Sequence, residues 1–143
     1  MRNRSIFLGF VSMVAASLGV VFSLGMNDKP ANSGGFRPVA SVRGLMAGQE
    51  ILYSRINERL VGPPAPARTK MIQLLSESLA EMANVNTLNS DKEDYRNWAS
   101  ELRATAMELA GEAKKHDKAE DSRMKSLMQK IEATCKACHD AYQ

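Results

Sequence analysis

Cys135, Cys138 and His139 stand together in CKACH, near the end of a 143-residue chain, and include both of its cysteines and one of its two histidines. Thiols three residues apart and an imidazole four from the first project from one face of a helix. That spacing suits one particular chemistry. The thiols add across the two vinyl groups of a haem and the imidazole ligates its iron, which is the C-x-x-C-H attachment pattern of c-type haem. A planar group is then gripped at one edge and held at its centre.

Other chemistries make other demands of the same residues. A structural zinc site needs four strong ligands, and only His116 remains beyond the motif. A C-x-x-C redox pair ordinarily opens a helix within a βαβ unit, whereas this pair closes the last helix of a chain with no strand pattern. Two cysteines on an apolar stripe can also be plain small hydrophobes. Haem attachment is the reading that uses all three side chains, and it fits a chain built for export.

The elements that position the motif follow from composition and periodicity. Hydrophobic residues make up 44% of the chain, charged residues 24% and aromatic residues 6%, enough for one compact domain and an appendage. The formal charge is +3, and Arg2 and Arg4 supply two of those units, so no basic surface for nucleic acid is expected. MRNRS followed by the uncharged run from Ile6 to Met26 reads residues 1–26 as a signal peptide or an N-terminal membrane anchor, the run being long enough to span a bilayer. Residues 27–37, rich in Gly, Pro and Ser, read as a linker, and 38–143 as the haem-binding domain.

From Pro38 onward apolar residues recur at intervals of three and four. Val42, Leu45, Met46, Leu52, Ile56 and Leu60 mark a first helix, with Pro38 expected in its first turn. GPPAPA breaks it, because proline lacks the amide hydrogen a continuing helix uses. Met71, Leu74, Leu75, Leu79 and Met82 mark a second helix. Ser90 and Glu93 form the capping pattern expected to open a third, whose inward stripe is Tyr95, Trp98, Leu102, Ala106 and Leu109. Asp117 and Glu120 repeat that pattern before a fourth helix carrying Met124, Leu127, Met128, Ile131 and Cys135. Four amphipathic helices on short loops predict an all-α fold, an antiparallel four-helix bundle.

The chain resembles the class II cytochromes c, the family of cytochrome c′ and its low-spin relatives. The likeness spans about residues 38–143 and rests on VRGLM in the first helix, NWASEL in the third and the terminal CKACHDAY. It implies a bundle holding one haem c near one end, with His139 as proximal ligand and Trp98 packed beside the haem. Members often carry a basic residue four after that histidine; here the position is Gln143.

The resemblance leaves the sixth iron ligand open between two readings. In one, Met46 completes His/Met ligation, which favours reduced iron and makes a periplasmic electron carrier that works with redox partner proteins. In the other, Leu45 or another apolar side chain covers the iron, giving a five-coordinate binder of nitric oxide or other small gases. Neither reading is an enzyme: no acid/base pair, nucleophile or phosphate loop stands out. His116, in KKHDK, reads as a surface residue, and Arg43, Arg68 and Lys70 as solvated charges with an outside claim on the haem propionates. Oligomeric state, including a homodimer, is left open.

Overall fold

The computed structural model describes residues 38–142. The segments read above as signal peptide or anchor (1–26) and linker (27–37) lie outside the described residues, as does Gln143. Four α-helices follow in order, α1 (Val42–Val61), α2 (Pro66–Asn86), α3 (Glu93–Ala113) and α4 (Asp121–Tyr142), with a short 3-10 turn at His116–Lys118. Among the described residues no helix is long and apolar enough to cross a membrane.

Each helix begins where local chemistry allows it. Ser41 caps α1, its Oγ accepting from the Gly44 amide at 3.1 Å. Pro38 is therefore outside α1, contrary to the expectation from sequence. Pro66 occupies the first turn of α2, where its missing N–H costs nothing. The capping box expected at Ser90 and Glu93 does not form. Ser90 Oγ instead accepts from the Lys92 amide at 3.2 Å, a tight local turn that delays α3 to Glu93. Asp117 likewise lies in the 3-10 turn and caps nothing, because α4 starts at Asp121.

The helices form a four-helix bundle whose core is Ile56 and Leu60 from α1, Ile72 and Leu79 from α2, Leu102 and Leu109 from α3, and Met124, Leu127 and Ile131 from α4. Each such side chain, fully buried, contributes about 1.5–3 kcal/mol of transfer free energy. Lys130 near Glu101 and Arg123 near Glu108 pair in the order expected of α3 and α4 running in opposite senses. The buried face of α2 departs from the expected stripe. Met71 and Leu74 are exposed, while Ile72, Ser76, Ala80 and Ala83 are buried. Small residues let α2 approach α3 closely, and Ser76 is tolerated inside because its Oγ donates to the Ile72 carbonyl at 2.7 Å.

Arg68 is also a correction to the sequence reading. Its side chain is buried at the loop end of the bundle, donating to the Gly62 carbonyl at 3.1 Å and pairing with Asp121. It ties the end of α1 and the starts of α2 and α4 together, far along α4 from His139.

Candidate haem-binding site

The last two turns of α4 carry the motif. Cys138 is buried, Cys135 is half-buried against the core cluster, and His139 is exposed. Burial pushes both thiols above their ordinary range, reinforced at Cys135 by the neighbouring Cys138 and at Cys138 by the Asp94 carboxylate. Both therefore stand as neutral S–H groups, the form whose hydrogen and sulfur together add across a vinyl double bond.

Three clefts meet around His139. A broad one of about 600 Å³ follows the seam between α1 and α4 and is lined by Arg43, Met46, Glu50, Tyr53, Cys135 and His139, among others. A second, of about 550 Å³, opens at the end of the bundle between Arg43, Met46, Lys92, Cys138, His139 and Tyr142. The third is a small inner cavity of about 40 Å³ between Gln49, Tyr95 and Trp98 on one side and Cys135 and Cys138 on the other. Met46 and His139 line all three. Leu45, the rival cover for the iron, is buried and lines none of them.

The broadest of these clefts follows the α1–α4 seam, and the wall on the α3 side is aromatic. Tyr142, one turn beyond Cys138, stands edge-on to both Tyr95 and Trp98, with ring centroids 5.7 and 5.9 Å away. Its hydroxyl donates to Asp94 Oδ1 at 2.5 Å, and Lys92 Nζ lies 4.5 Å from its ring centre. That hydrogen bond holds the Asp94 carboxyl below its usual range and pushes the Tyr142 phenol up to about 12. The final turn of α4 is thereby fastened to the start of α3.

The predicted site residues are thus brought to one place: Cys135, Cys138, His139, Met46 and Trp98 share the inner cavity. Arg43 reaches two of the clefts, whereas His116 is exposed in the turn after α3, at the opposite end from His139. Gln49, Lys92 and Tyr142 went unremarked in the sequence. Gln49 could have been found from its spacing, three residues after Met46 and on the same face of α1; Tyr142 carries no local signal, since its partners lie in α3.

These residues fit a covalently held haem. Two thiols and an imidazole face one apolar cavity, adjoining clefts have room for a flat ligand of several hundred Å³, and two cationic side chains stand at the mouth to meet carboxylates. A helical bundle with a terminal C-x-x-C-H motif over such a cleft defines a c-type haem cytochrome. The model of the Cytochrome C' family matches residues 67–143, more than half of the chain, and the chain belongs to that family. The match takes in α2 to α4 and the motif; α1, with Met46, lies before it. No curated protein and no solved structure matches the chain.

Proposed function

We propose that the protein is a periplasmic electron carrier with one haem c, held through Cys135 and Cys138, and with iron ligands from His139 and Met46. When bound, the haem supplies a one-electron couple between ferric and ferrous iron. The chain contributes what surrounds it: His139 an imidazole nitrogen, Met46 a thioether, and the bundle a largely apolar setting. An imidazole from His139 and a thioether from Met46 would together hold such an iron and favour its reduced state. A single haem follows from there being only two cysteines.

The observation that carries this reading is that Met46 lines every cleft His139 lines, while Leu45 packs away from them. Its position on α1, across the clefts from the motif on α4, supports Met46 as the source of a second iron ligand. No acid/base pair or nucleophile is needed, and the proposed role transforms no substrate. Export of the chain follows from the basic and apolar residues of its first segment, since covalent haem attachment in bacteria takes place outside the cytoplasmic membrane.

Redox potentiometry tests the proposal. The wild-type protein is expected to cycle reversibly, and Met46→Ala to lower its midpoint potential as the thioether is lost. A midpoint unchanged in Met46→Ala would remove Met46 from the iron and with it this form of the carrier.

A further inference from the structure

The bundle as a whole is neutral, but its two ends are not. Residues 38–142 hold fifteen lysines and arginines against fifteen aspartates and glutamates. The helix halves nearer His139 (38–51, 77–103 and 131–142) carry nine of the acids and five of the bases, an excess of four negative charges. The other halves (52–76 and 104–130) carry six acids and ten bases, an excess of four positive ones. The division is spatial: Met46 of α1, Asn86 of α2, Tyr95 of α3 and His139 of α4 line one cavity, whereas Arg68 meets Gly62 and Asp121 at the other end. Two helices begin at the His139 end and two finish there, so their macrodipoles offset one another and the side chains set the field.

The negative excess is free to act outward. Glu101 and Asp140 have cationic partners, but Glu50, Glu81, Asp91, Glu93 and Glu132 are exposed and form no ion pair among the described residues. A haem brings two carboxylates of its own, so loading deepens the excess. Distance then decides whether the opposite end matters. A helix of 21 residues, such as α2, is about 30 Å long, roughly three Debye lengths at 0.1 M salt. A molecule approaching the His139 end is therefore largely screened from the basic end and meets a negative surface, not a neutral one. Val42 and Leu88 are exposed at the same end, Val42 beside Asn89 and Ser90 in the outer cleft, and offer apolar contact once charge has steered a partner in.

We infer that the His139 end of the bundle is the docking face for a redox partner protein that presents a basic surface around its own electron-transfer centre. This inference rests on the carrier reading above and deepens it by stating the partner's chemistry. The charge separation also orients the encounter, since the basic end repels the same partner. Asp91 and Glu93, in the turn that opens α3 beside the outer cleft, are the acids best placed to be met first.

Stopped-flow oxidation of the haem-loaded, ferrous protein tests this with two probes that each accept one electron: tris(phenanthroline)cobalt(III), a trication, and ferricyanide, a trianion. Between low salt and 0.5 M sodium chloride, the rate with the cation is expected to fall roughly tenfold or more and the rate with the anion to rise. Electron exchange with a strongly basic single-haem cytochrome, the protein probe, should fall with salt as the cation does. Asp91→Lys with Glu93→Gln should flatten both dependences, whereas the matching change at the other end, Lys118→Glu with Lys114→Gln, should leave each within about twofold of the wild type. Rates indifferent to salt, or a salt dependence of the opposite sign, overturn the docking face. Equal effects from the two double variants overturn it too, because net charge and not the end that bears it would then be in control. Asp91→Asn with Glu93→Gln, which reverses no charge, decides the matter should the first variant fail to load haem. Oxidation by neither probe at any salt concentration would instead defeat the carrier reading.

Discussion

The Arg68–Asp121 pair permits an asymmetric prediction. The Arg68 side chain is 6% exposed and Asp121 is 38% exposed, so the two partners do not share the cost of separation equally. Removing the carboxylate in Asp121→Ala strands a buried guanidinium whose Nε already lacks a partner, leaving it only the Gly62 carbonyl. Stranding one member of a fully buried pair costs about 3–5 kcal/mol. Because Asp121 is more than a third exposed, solvent screening already weakens the pair, and the expected loss falls to about 2 kcal/mol. Removing the guanidinium in Arg68→Met frees a carboxylate that water can reach, fills much of the same volume and forfeits mainly the Gly62 hydrogen bond, about 1 kcal/mol. For a domain of this size each kcal/mol moves the thermal midpoint by roughly 4–8 °C. Differential scanning calorimetry of the two variants should therefore find Asp121→Ala the less stable. Visible spectra of both should match the wild type, because the pair lies at the end of the bundle away from His139. Arg68→Met proving the more damaging, or either variant shifting the haem spectrum, would refute this account of Arg68.

Three further outcomes are expected. Replacing both thiols, Cys135→Ser with Cys138→Ser, should give a poorly folded protein with no haem mass on its C-terminal peptide, since a bundle of this size buries limited apolar surface and the cofactor adds to it; an unchanged thermal midpoint would contradict that. Glu112 accepts from Lys115 Nζ at 2.5 Å and from the Glu120 amide at 3.0 Å, which lowers its carboxyl pKa, so its contribution to stability is present above the ordinary carboxylate value and lost as pH falls through the lowered one. The midpoint gap between wild type and Glu112→Gln should accordingly close on going from pH 7 toward pH 3, and a constant gap would count against it. Tyr142→Phe should let the Asp94 carboxyl titrate closer to its ordinary value in NMR, where no change would mean the hydroxyl is not its partner.

How much of this was legible in the sequence varied with the range of the interaction responsible. The four helices and the motif were plain, because periodicity of three and four and the C-x-x-C-H spacing are local. Met46 and Leu45 were both candidates on paper; in the bundle Met46 lines the clefts that His139 lines, whereas Leu45 is buried and lines none of them. The face of α2 was misjudged at Met71 and Leu74 because hydropathy favours large apolar residues. The true face uses Ser76, Ala80 and Ala83, whose small size lets α3 approach. Helix starts failed for a different reason: Ser90 can bond within its own turn as readily as it can cap, and the local competition is invisible to a pattern. Arg68 and Tyr142 depend on partners 53 and 48 residues away, which spacing cannot reveal.

The claim that matters most is that Met46 from α1 and His139 from α4 hold the same iron. Visible spectra of the purified protein in both oxidation states, beside those of Met46→Ala, test it directly. The account predicts low-spin spectra for the wild type in both states and a high-spin spectrum, with ready uptake of carbon monoxide, once Met46 is removed. A wild type already high-spin and open to carbon monoxide, with a spectrum indifferent to Met46→Ala, would contradict it.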